Sequence, residues 1–149
     1  MQRLTVLLMP LVLALLPCTG NADQIPPGAS QAPLYASPPI VGIWVLKLPN
    51  ACTETYNYRS DGVLSVSSGE ELAESSYTLD PTPGPKGFYR LVDKVLRTNG
   101  KPDCSGELTP IGDVATIYIR IDSSGNRLVI CLDEALTQCF GPAIRQSGG

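Results

Sequence analysis

The sequence predicts an all-β domain, a small up-and-down antiparallel β-barrel of about eight strands, and three observations predict it. Runs rich in Val, Ile, Thr and Tyr recur through residues 41–145, separated by short clusters of Gly, Pro, Asn, Asp and Ser. Val114 to Asp122 alternates cleanly, with Ala115, Ile117, Ile119 and Ile121 on one face and Thr116, Tyr118 and Arg120 on the other. No segment reads as a long helix, and a meander of this kind closes on itself because closure removes exposed strand edges.

The strands follow in order. Val41 to Leu48 opens the domain and Pro49-Asn50 ends it. Thr53 to Arg59 is the second strand, and Asp61-Gly62 turns the chain, Gly supplying the positive φ of a tight hairpin. Val63 to Ser67 is the third, Ser68-Gly69 turns again, and Glu71 to Leu79 returns. Pro81 to Lys86 is a loop. Gly87 to Thr98 reads as a long strand, although Leu91, Val92, Val95 and Leu96 also fit a helical period. A long loop from Asn99 to Asp113 carries Cys104. After Val114 to Asp122, Ser124-Gly125-Asn126 turns into Arg127 to Leu132. Asp133 to Gln138 is a loop or single helical turn, and Cys139 to Arg145 is the last strand.

The first 22 of 149 residues have the pattern of a secretory signal: Arg3, an apolar run from Leu4 to Leu16, then Gly20-Asn21-Ala22 at the cleavage site. Acylation at Cys18 is the competing reading, against which Pro17 stands, and the membrane is an expected partner only if Cys18 is lipidated. Residues 23–40, with five prolines, read as a disordered linker, and 146–149 as a disordered tail. The chain carries a net charge of −3, which loss of Arg3 takes to about −4, and it has no basic block. Nucleic acid is therefore not an expected partner. There is no histidine, which excludes Ser-His-Asp and Cys-His catalysis and His-ligated zinc.

Four cysteines remain behind the signal: Cys52, Cys104, Cys131 and Cys139. An even count in a secreted chain points to two disulfides and to a periplasmic or secreted location. With strand direction alternating from Val41, all four fall at the same end of the barrel. Neighbouring-strand logic favours Cys52–Cys139 with Cys104–Cys131. A hairpin bridge Cys131–Cys139 with Cys52–Cys104 across the mouth is the alternative.

Gly42-Ile43-Trp44 on the first strand resembles the G-x-W signature of lipocalins and related calycins. The resemblance implies that Trp44 packs across the closed end and that Arg145, just after Phe140-Gly141-Pro142-Ala143-Ile144, covers it by a cation–π contact. The domain is also similar to a small set of secreted bacterial proteins of unknown function. The shared runs are Cys-x-Glu-x-Tyr (Cys52, Glu54, Tyr56), Ser-Gly-Glu-Glu (Ser68 to Glu71), Asn-Gly-x-x-Asp-Cys (Asn99 to Cys104) and Cys-Phe-Gly-Pro (Cys139 to Pro142). That second resemblance implies no activity.

Glu54, Tyr56 and Tyr58 share one face of the second strand. Tyr77 and Tyr118 are expected to join them inside the barrel, with Arg120 as the charge partner of Glu54. These six residues form the candidate ligand site, a polar-rimmed pocket for a small molecule. The opposing expectation is a narrow barrel filled by its tyrosines, with Glu54–Arg120 as a structural ion pair. Glu70, Glu71 and Glu74 read as a solvated hairpin rather than a calcium site, and Asp103 with Glu107 as loop residues rather than a hydrolytic pair. The expected function is a lipocalin-like binding protein for a small ligand, monomeric, not an enzyme, with no cofactor and no metal. The alternative is a protein–protein module such as an inhibitor of an extracellular hydrolase, which some small secreted bacterial barrels with a G-x-W start are.

Overall fold

Period-two alternation decides which side chains enter the barrel and which face outward. The computed structural model describes residues 39–147. They form β1 (Gly42–Lys47), β2 (Thr53–Tyr58), β3 (Val63–Ser68), β4 (Glu71–Leu79), β5 (Tyr89–Thr98), β6 (Val114–Ile121), β7 (Arg127–Cys131) and β8 (Cys139–Arg145). Each strand pairs antiparallel with the next, and β8 returns to β1 through Trp44 opposite Arg145 and Val45 opposite Ile144, closing the barrel. The expected fold class is the observed one. Gly87–Thr98, the segment with a competing helical period, forms β5 from Tyr89 onward, hydrogen-bonded on both sides.

The core lies inside the wall. Trp44, Tyr58, Leu91, Ile119 and Leu128 are 1% exposed or less. Leu46, Leu64, Tyr77 and Ile130 fill the space between them, and Tyr56, Val66, Ile117 and Phe140 pack against this cluster. An eight-stranded barrel is just wide enough for its inward side chains to fill, and these do so through the middle of the barrel.

The end at which β1 begins is sealed by Trp44 and Arg145. The Trp44 indole donates to the Ile40 carbonyl at 2.7 Å, and the Arg145 guanidinium lies 4.1 Å from the indole ring centroid. Arg145 also donates to the carbonyls of Gly125, Val41 and Pro39 at 2.6–2.7 Å. The close approach explains Gly42: a Cβ there would stand 2.5 Å from Arg145 Nη1, on a backbone with φ of 135°.

Three expectations are corrected. Pro39 and Ile40, assigned to the linker, belong to the barrel, since Ile40 is fully buried and both carbonyls accept end-plug hydrogen bonds. Gln146, assigned to the tail, donates its amide to Ile43. The disulfides are Cys52–Cys104 and Cys131–Cys139, not the pairing that neighbouring-strand logic favours. Cys131 and Cys139 stand directly opposite each other on β7 and β8. Cys104 instead reaches the β1–β2 turn because its loop folds over the upper end. There the Cys104 amide donates to Ser68 Oγ, Asn50 Nδ2 donates to the Cys104 carbonyl, and the Glu70 amide donates to the Pro102 carbonyl. The signal sequence, Cys18, the linker up to residue 38 and the terminal glycines lie outside the described residues.

Candidate functional site

The six candidate residues divide between the two faces of the wall. Glu54, Tyr56, Tyr58 and Tyr77 point inward. Glu54 sits across from Ser68 on β3, and its carboxylate accepts from Ser68 Oγ at 2.8 Å and from the Tyr56 hydroxyl. Burial, and then the adjacent Glu54 carboxylate, push the Tyr56 phenol well above its ordinary value. Burial does the same to Tyr58, whose ring meets Tyr77 edge-on at 5.1 Å between centroids. The Tyr77 hydroxyl donates to the Arg59 carbonyl at 2.6 Å. The polar tips of Glu54, Tyr56 and Tyr77 each have a protein partner, so these three of the four are engaged in holding the barrel together.

Tyr118 and Arg120 lie on the outer face, and the expected Glu54–Arg120 pair does not form. The reason is parity. Ile119 is fully buried between them, so its two neighbours must face out. Arg120 stacks its guanidinium 4.8 Å from the Phe88 ring centroid, and Tyr118 stands across from Arg90 on β5.

Tyr118 and Arg90 are the floor of a cleft of about 420 Å³ on the outside of the barrel. One wall is the loop between β4 and β5, contributing Asp80, Thr82, Gly84, Pro85, Lys86 and then Phe88. The other is the β7–β8 loop, contributing Glu134 and Leu136. Local chemistry fixes both walls. In the first, the Gly84 amide donates to the Phe88 carbonyl at 2.8 Å and the Asp80 amide to Arg90 at 2.9 Å. In the second, the disulfide Cys131–Cys139 ties the loop's base. The Asp133 carboxylate accepts from the Thr137 hydroxyl and from the amides of Thr137 and Gln138. Those hydrogen bonds, the Thr137 hydroxyl first, hold the Asp133 carboxyl below its usual range. Leu136 is held at φ of 62°, a left-handed conformation that costs a branched residue energy and persists where surroundings over-determine it.

The acidic groups resolve separately. Glu71, read as solvated, is only 4% exposed and points inward, with its Oε1 unpartnered among the described residues. Glu74 pairs with Arg97 at 2.6 Å on the outer face. Asp103 accepts from Ser105 and from the Glu107 amide, and these bonds outweigh its partial burial to lower its pKa, so it organises its own turn. Among the described residues no three His, Cys, Asp or Glu side chains form a group that could hold a metal ion.

No family model matches the chain, and neither the curated proteins nor the solved structures yield a match. The site's chemistry is therefore read from its own residues. The cleft-wall residues Phe88, Arg90, Lys86, Glu134 and Leu136 were not foreseen from the sequence, because they come from two loops and from the outer face of a strand. The one available signal was the alternation in Val114–Asp122, which already set Tyr118 and Arg120 opposite the apolar side.

Proposed function

We propose that this chain is a secreted or periplasmic binding protein, lipocalin-like in its closed barrel, that recognises a small ligand on its outer wall and performs no catalysis. The observation that carries the proposal is the cleft of about 420 Å³ between two braced loops, beside an interior already occupied by side chains. Concave sites of this size with a few convergent polar groups and aromatic walls are where small molecules bind. The two disulfides are of the kind found in extracellular and periplasmic proteins. The absence of histidine from the chain and the engagement of the four barrel cysteines in disulfides support binding over catalysis.

The test is native intact mass of the protein purified from its own compartment, alongside a Tyr118→Ala variant. The expected result is a co-purifying small molecule that is lost in Tyr118→Ala and retained in Tyr56→Phe. A bare polypeptide mass, or a ligand indifferent to Tyr118→Ala, would remove the cleft from consideration.

One observation favours the second reading, a protein–protein module such as a hydrolase inhibitor. The 99–113 loop is clamped by Cys52–Cys104 and by its bonds to Ser68 and Asn50, yet it exposes Leu108 (63%) and Ile111 (66%). A bare mass together with inhibition of a secreted hydrolase, abolished by Leu108→Asp, is the outcome belonging to that reading.

A further inference from the structure

We infer that the outer cleft takes a small organic monoanion, a single carboxylate carried on an aromatic ring. This rests on the cleft reading above and adds the chemistry of the ligand. Arg90 lines the floor directly across from Tyr118, and Lys86 lines the wall beside it. Arg120 is not part of the lining, but its guanidinium lies over the Phe88 ring, which is. The ion pairs among the described residues are Arg59–Asp61 and Arg97–Glu74, so none of these three cations has a carboxylate of a described residue at contact distance.

A second concavity of the same barrel, about 310 Å³, gives the contrast. It is lined by Arg97 and Glu74, which neutralise each other at 2.6 Å. Its cation is already paired, whereas Arg90 and Lys86 of the first cleft are in no ion pair among the described residues. A guanidinium fork matches a carboxylate in two parallel hydrogen bonds, which makes Arg90 the group that fixes such a ligand.

The acids in the cleft narrow the class. Asp80 and Glu134 stand on opposite walls. The lining holds two cations, Lys86 and Arg90, against these two carboxylates, and Arg120 stands beside it over Phe88, so a single negative charge can be met at Arg90, while a doubly charged phosphate monoester meets repulsion from both walls. The half-buried rings of Phe88 and Tyr118, with Leu136 and Pro85, supply an apolar and aromatic lining that a planar ring can stack against. The volume lies at the low end of the small-molecule range, which suits one or two rings.

The experiment titrates isotope-labelled full-length secreted protein with three ring-matched probes, phenylacetate, phenylacetamide and phenethylamine, following backbone amides by NMR. Phenylacetate is expected to shift the amides of Arg90, Tyr118 and Leu136 and to bind at least about tenfold more tightly than the neutral or cationic probe. Arg90→Gln, on the exposed outer face, is expected to erase that preference. Added salt weakens only phenylacetate. If the amide or amine binds as tightly as the acid, or Arg90→Gln leaves the preference intact, the anion assignment fails while the cleft remains a binding site. If no probe moves any cleft amide at millimolar concentration, the aromatic-anion class is wrong. The cleft reading is then decided by the co-purification experiment, which uses none of these probes.

Discussion

The same residue types sit on both sides of the barrel wall, and they do opposite things. Inside, Tyr56, Tyr77 and Glu54 have their polar groups engaged with Glu54, Ser68 and the Arg59 carbonyl, and Tyr58 is 1% exposed. Outside, Tyr118 and Arg120 stand beside Phe88 and Arg90, with charges that pair with no carboxylate among the described residues. The interior set is spent on stability. The outer set is available to a ligand. A tyrosine's role in this fold thus follows from the parity of its position along a strand, and only secondarily from its chemistry.

The largest break in that comparison comes from the interior plug. Trp44→Ala removes a fully buried indole, its hydrogen bond to Ile40 and the surface on which Arg145 rests. We expect a loss of about 3–5 kcal/mol in denaturant unfolding. A loss under ~1 kcal/mol would mean that Trp44 does not plug the barrel. Next comes a matched pair of hydroxyl deletions. Tyr56→Phe leaves a Glu54 oxygen without its donor in a part-buried setting, and should cost about 1–3 kcal/mol. Tyr118→Phe on the outer face should stay within roughly 0.5 kcal/mol. Equal effects at the two positions, read from urea midpoints at unchanged slope, would contradict the division of labour between the two faces.

Much of the architecture was legible because it depends on local pattern. The bounds of β4 and β8 match the reading residue for residue, and Asp61-Gly62 turns the chain where expected, with Gly62 at φ of 81°. Closure follows once eight alternating segments are joined by short turns. The disulfide pairing was not fixed by that logic, because it depends on how the 99–113 loop folds across the mouth, a non-local choice held by Ser68 and Asn50. Ile40 was missed because a proline-rich composition describes a segment, whereas a single apolar residue at its end can still enter the core. Placing Arg120 inside came from seeking a partner for Glu54. Its own strand's alternation said otherwise, and Glu54 is satisfied by hydroxyls instead. Glu71 shows the same limit: three nearby glutamates look alike in sequence, while strand parity sends Glu71 inward and Glu74 outward to Arg97.

The smallest expected gain in stability sharpens the comparison from within the interior. Asp93 faces Tyr77 across the β4–β5 ladder and the Ser75 hydroxyl is hydrogen-bonded to it. Burial raises its pKa above the ordinary 3.8, Asp113 adds to the rise, and the Ser75 bond only partly offsets it. A raised folded value means that the fold holds the proton more tightly than the unfolded chain does. The stability from this group is therefore complete below the unfolded value and is lost as pH rises through the folded one. Asp93→Asn removes that loss. The variant should be more stable than the parent at neutral pH, by less than about 1 kcal/mol because water screens a half-open carboxylate. The gap should close as pH falls towards about 4. Urea midpoints of parent and variant across that interval measure it. A variant less stable than the parent at neutral pH would show the ionised Asp93 to be a needed acceptor for Ser75, placing it with Glu54 among the interior groups that hold the barrel together.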